Sequence, residues 1–147
     1  ADVLYDAGLP PEMFQVVTGD AAEIADTLIT HPDVDLVTFT GGVPIGKYIA
    51  ERAGYRRMVL ELGGNAAVII DKDANLADAL ERVIFGAFYQ SGQSCIGVQR
   101  ILVHDTVYDA FKAKLVAKTS TLIAGSPHDE QTFVGPMIDV KEAQRLG

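Results

Sequence analysis

Cys95 is the single cysteine of a 147-residue chain. It lies in SGQSC, a small polar stretch that makes a poor core and a good exposed turn. A thiol placed there works as a nucleophile once it is ionised, which takes a lowered pKa or a nearby base. Earlier in the chain, LELGGN sets Glu61 between two leucines, straight after a strand-like run. A carboxylate in an apolar stretch is costly to bury unless it is paired, solvated or neutralised. Two readings stand side by side: a strand-end glutamate pairing with Arg56 or Arg57, or a base held near the thiol to take a proton from water or from the thiol itself. The third piece is FTGGVPIG. Gly41, Gly42 and Gly46, between a strand and a helix, offer backbone N–H groups and a helix N-terminus to a phosphate. The spacing is Gly-x-x-x-x-Gly rather than the Gly-x-Gly-x-x-Gly of the commonest dinucleotide fingerprint, so an ordinary βα turn fits equally well.

Other chemistries find less support. His31, His104 and His128 are scattered and read as surface or capping residues, none of them a catalytic base. One cysteine and three dispersed histidines do not make a zinc site, and a serine nucleophile lacks its Gly-x-Ser-x-Gly elbow. Twelve basic against twenty acidic residues give a net charge of -8, which argues against binding nucleic acid. No apolar run approaches the ~20 residues of a membrane span. The opening residues carry no basic stretch followed by an apolar one, as a secretory signal would. A lone cysteine excludes an internal disulfide and fits a reducing, cytoplasmic setting.

The elements that must position these groups follow from periodicity and punctuation. ADVLYDAGLPP reads as a helix tail ended by Gly8; with no initiator Met, it leads us to expect a piece of a longer chain. Strands are expected over Phe14–Thr18, Leu36–Thr40, Arg56–Glu61, Ala66–Ile70 and Val98–Val103. Helices are expected from Ala21 to Thr30, capped by Asp20, from about Pro44 to Ala53, and from about Asn75 to Tyr89. Another, capped by Asp105, carries Val107, Phe111, Leu115 and Leu122, and the AGSPHDEQTFVGP tail is turn-rich. Alternating strands and helices predict an α/β fold with a doubly wound parallel sheet. A change of character at Gly63-Gly64 marks the one candidate domain boundary, dividing residues 1–64 from 65–147.

Taken in order, HPDVDLVTFTGG with Gly46, LELGGN, DKDANLADAL, GQSCIGVQRILVH, VYDAF and FVGP resemble the aldehyde dehydrogenase superfamily across nearly the whole chain. The LELGGN and TFTGGVPIGK variants are similar to the branch containing lactaldehyde and phosphonoacetaldehyde dehydrogenases. The resemblance implies a partial doubly wound cofactor-binding domain in residues 1–64, joined to the first part of an α/β catalytic domain in 65–147. It implies NAD or NADP as cofactor, a small-molecule aldehyde as substrate, and a homo-oligomer. Cys95 matches the nucleophile and Glu61 the base that activates water. Gly41, Gly42 and Gly46 match the pyrophosphate turn, while Thr40, Leu62 and Gly63 match positions on the nicotinamide side of the cleft. Gly42 stands where many members have Ser, and Asn65 where Lys is commoner. A non-catalytic homologue and a cofactor-independent thiol hydrolase are the alternatives.

Overall fold

The computed structural model describes residues 1–146. The chain divides into two compact units, Ala1–Leu62 and Gly63 onward.

In the first unit, a short helix α1 (Asp2–Asp6) is followed by α2 (Ala21–Thr30), β1 (Leu36–Thr40), α3 (Val43–Ala53) and β2 (Arg57–Glu61). Helix α2 begins where the sequence places it, because the Asp20 carboxylate accepts a hydrogen bond from the Ala22 N–H at 2.8 Å. Strands β1 and β2 pair in parallel, with Leu36 opposite Arg57 and Thr40 opposite Glu61, and α3 is the crossover between them. Side chains alternate across the strands. Val37, Phe39, Met58 and Leu60 turn toward α2 and α3, where Ile29, Ile49 and Ala53 form the core. Leu36, Thr38, Val59 and Glu61 turn to the other face, which stays open. The strand expected at Phe14–Thr18 does not form. Its β-branched residues favour extended chain, but a strand needs a ladder partner; Val16 and Val17 are more than half exposed.

Arg56 locks the helix ends of this unit. Its guanidinium donates to the carbonyls of Thr30 (2.7 Å), His31 (2.8 Å), Val34 (2.9 Å) and Ala53 (3.0 Å). These include carbonyls at the ends of α2 and α3 that have no partner inside their helices. Arg56→Ala should therefore cost about 2–4 kcal/mol, since bonds to a charged donor are worth about 1.5–3 kcal/mol each and are not additive. A lowered urea midpoint measures it; an unchanged midpoint contradicts it. Arg56→Lys should recover only part, because an ammonium cannot reproduce the planar fork. A second link joins α2 to α3. The Tyr48 hydroxyl donates to Asp26 Oδ1 at 2.6 Å, which holds the phenol above its usual pKa. Arg52 shares that carboxylate at 3.1 Å and lies over the Tyr48 ring.

The second unit repeats the pattern with β3 (Ala66–Ile70), α4 (Leu76–Phe88), β4 (Val98–Val103), α5 (Asp105–Thr119) and α6 (Val140–Leu146). Strands β3 and β4 are parallel, Ala66 opposite Val98 and Ile70 opposite Val103, with a register shift after Ala66. Asn75 caps α4 through bonds from the Ala77 and Asp78 N–H groups. The core is Ile70, Val83 and Phe111, joined by Leu80, Ile101 and Leu115. Helix α5 is capped by His104 rather than by the expected Asp105: the imidazole Nδ1 accepts from the Thr106 N–H at 3.2 Å, and Asp105 is already helical. Leu122 falls beyond the helix, which ends at Thr119. The tail is tied back by a parallel bridge between Ala124 and Val134.

Candidate active site

Parallel pairing decides what each unit brings together. In the first unit the two carboxyl ends, Thr40 and Glu61, lie side by side. The Gly41 N–H extends the ladder by donating to the Glu61 carbonyl at 3.0 Å. The glycine turn and the glutamate therefore share one edge, the edge at which open α/β sheets take their ligands. Gly42 is the N-cap of α3 and no side chain caps that end, so first-turn N–H groups remain for an incoming acceptor. Glu61 is exposed on the open sheet face. The pairing with Arg56 or Arg57 is not made: Arg56 is committed to carbonyls, and among the described residues no ion pair includes Glu61. The carboxylate is therefore open to an incoming water at the strand end.

Gly46 and Leu62 meet each other. Gly46 is buried, and a Cβ there would stand 2.4 Å from Leu62 Cδ2. The absence of a side chain thus lets α3 pack closely on the residue just after β2. Thr40 is exposed at the same edge, and Gly63 opens the second unit.

In the second unit the informative ends are the amino ends of β3 and β4, which also lie side by side. That places Gly64, just before β3, against Cys95, just before β4. A Cβ on Gly64 would stand 1.7 Å from the Cys95 carbonyl oxygen and 2.8 Å from its carbonyl carbon, against the 3.0 Å below which real contacts do not go. The second glycine of LELGGN is therefore required by the main chain of the cysteine. In the sequence this glycine marks only a candidate domain boundary, because the contact exists only once the strands pair. Cys95 itself is exposed, on a turn reached through a short 3-10 segment at Tyr89–Gly92. His31 ends α2 and His104 caps α5, while His128 lies in the tail. Among the described residues no group of three His, Cys, Asp or Glu is placed to hold a metal ion, and no helix is long and apolar enough to cross a membrane.

A sequence profile described as the aldehyde dehydrogenase family matches residues 1–147. A 3-sulfolactaldehyde dehydrogenase of Priestia aryabhattai is 48% identical over 146 residues, which are 99% of this chain and 31% of that protein. Among solved structures, an NAD-dependent aldehyde dehydrogenase from Sinorhizobium meliloti superposes with a TM-score of 0.94 at 34% identity, over 99% of this chain and 29% of the other. An NADP-dependent glyceraldehyde-3-phosphate dehydrogenase from Bacillus halodurans C-125, complexed with NADP, gives 0.88 at 40% identity, over 97% and 30%. The chain spans about a third of the length of the relatives it matches.

Proposed function

The chain belongs to the aldehyde dehydrogenase family, and from that premise we propose that it is the central part of an NAD- or NADP-dependent enzyme that oxidises a small aldehyde to a carboxylic acid. The observation that carries the reading is the pair of parallel edges. One bears a free glutamate beside a glycine turn, and the other bears a lone exposed thiol seated on a glycine of the same LELGGN motif. Residues 1–64 would hold the cofactor and 65–147 the thiol.

The glycine turn suits the cofactor's phosphates: Gly41 and Gly42 present main chain without side chains, and the end of α3 is uncapped. Ser is missing at position 42, so recognition there rests on backbone N–H groups alone. Thr40, Leu62 and Gly63 would flank the nicotinamide side. When bound, the nicotinamide supplies the hydride acceptor. The residues of this chain do the rest. The Cys95 thiolate attacks the aldehyde carbonyl carbon, and the Cys95 N–H donates to the oxygen as it gains charge. Loss of hydride from the thiohemiacetal leaves a thioester on Cys95. Glu61 takes a proton from water, the water oxygen attacks the thioester, and the acid departs with the thiolate restored.

Each unit's sheet has one uncovered face, carrying Leu36 and Val59 in the first and Ile69 and Leu102 in the second, all at least 47% exposed. Parallel sheets are ordinarily covered on both faces, which supports a functional unit larger than this chain. We expect the whole protein, given a panel of aldehydes with NAD or NADP, to produce reduced cofactor, and the 147-residue chain alone to produce none. No reduced cofactor from the whole protein with any aldehyde would remove the proposal. In the whole protein Gly64→Ala should lower kcat by about 100-fold, because displacing a reacting group by about 1 Å costs that much. A kcat unchanged by Gly64→Ala would mean that the cysteine main chain does not set the reaction geometry.

A further inference from the structure

The turn that carries Cys95 is held by groups far away in sequence. Gln90 and Ser91 have φ angles of 49° and 59°, a left-handed conformation that residues other than glycine keep only when their surroundings hold them there. The hold is visible. The Ser91 hydroxyl oxygen accepts a hydrogen bond from the Gly135 N–H at 2.8 Å. Two residues on, the Gln93 amide donates from Nε2 to the Pro136 carbonyl at 3.3 Å and accepts at Oε1 from the Ile138 N–H at 3.2 Å. The receiving segment is itself anchored. Val134 donates to the Ile123 carbonyl at 3.1 Å and accepts from the Gly125 N–H at 3.0 Å. The Tyr89 and Ser94 hydroxyls, hydrogen-bonded to each other, close the turn from within.

We propose that residues 135–138 are a brace for the nucleophile turn, with Ser91 and Gln93 as positioning residues that set the Cys95 thiol and N–H toward the aldehyde carbonyl. The inference rests on the reading of Cys95 as nucleophile. Ser91 does not react: its oxygen is occupied by the Gly135 N–H, and its effect is transmitted through the three residues that separate it from Cys95. The turn has no slack at Cys95 itself either, since Gly64 meets the Cys95 carbonyl. A turn held at several points keeps its thiol in one place, which is how preorganisation raises a rate without touching affinity.

The test uses the whole protein and four variants: Ser91→Ala, Ser91→Gly, Gln93→Ala and the double variant Ser91→Ala with Gln93→Ala. Ser91→Ala is expected to lower kcat by about 10- to 100-fold while KM for the cofactor stays within about twofold. Gln93→Ala should lower it less, and the double variant should lose less than the product of the two, because all three bonds hold one segment. Ser91→Gly separates two causes. Glycine adopts the left-handed backbone freely but lacks the hydroxyl, so the loss should persist; full recovery would show that only backbone strain mattered and would overturn the brace. Should Ser91→Ala fail to fold, Gln93→Ala decides alone, and an unchanged kcat there overturns the proposal. Hydrogen exchange keeps this inference separate from the function. Slow exchange of the Gly135 and Ile138 amides, accelerated in Ser91→Ala and Gln93→Ala respectively, supports the brace even if no aldehyde is oxidised. Fast exchange in the unsubstituted protein overturns it even if aldehydes are.

Discussion

Cys95→Ala is expected to lower aldehyde oxidation by about 10⁴-fold or more, as loss of a nucleophile that acts in concert with a base does elsewhere. Binding of NAD or NADP should be unaffected, because the glycine turn, Gly46 and Leu62 belong to the other compact unit. The size of the effect follows from chemistry with no substitute in this chain. It has no second thiol, and a methyl group can form neither the thiohemiacetal nor the thioester. Turnover measured beside a cofactor titration separates the two. A variant retaining more than about a tenth of the rate would show that the covalent route is not the one used.

Glu61→Gln is the second large effect, and its signature is different. The amide keeps the shape and polarity of the side chain but cannot take the proton from water, so hydrolysis of the thioester should slow by about 10²–10⁴-fold. Formation of the thioester does not need that proton, so the first turnover should remain. Glu61 suits the task because it is exposed at the carboxyl edge of β2 and unpaired among the described residues. Had it been bonded to Arg56, removing it would have cost stability rather than deacylation.

How far the sequence announced this arrangement depends on how local the cause is. Helix α2, and strands β1, β3 and β4, run between the residues that periodicity and punctuation marked, because caps, prolines and alternation act within a few residues. Phe14–Thr18 failed for the opposite reason: a strand is a statement about a partner, and local propensity cannot supply one. The cap of α5 fell one residue earlier than expected because an imidazole Nδ1 accepts a hydrogen bond as a carboxylate does. At the site, residue types alone marked Cys95, Glu61 and the glycine turn as candidates. The seat of Cys95 on Gly64 was not legible, since it arises from two strands starting side by side. The bond from Gly135 to Ser91 was hidden too, because it joins residues on either side of β4 and α5.

Gly46 shows the same limit from another direction. Its spacing from Gly41 pointed to phosphate, and that remains its proposed neighbourhood. Its burial against Leu62 adds a packing reason that the spacing does not reveal. A substitution at Gly46 would therefore disturb α3 before it disturbed any cofactor, and one at Gly41 would press on Phe39, whose Cζ would stand 2.4 Å from an added Cβ, whereas a change at Gly42 acts at the exposed turn.

In the proposed reaction Glu61 and Cys95 act in sequence, the first releasing what the second has captured. Rapid mixing of the Glu61→Gln whole protein with aldehyde and cofactor separates the two steps, with the Cys95 peptide weighed after quenching. A burst of reduced cofactor equal to the number of sites is expected, then a slow steady rate, with the acyl group found on Cys95. A full steady rate with no burst and an unmodified Cys95 would contradict it.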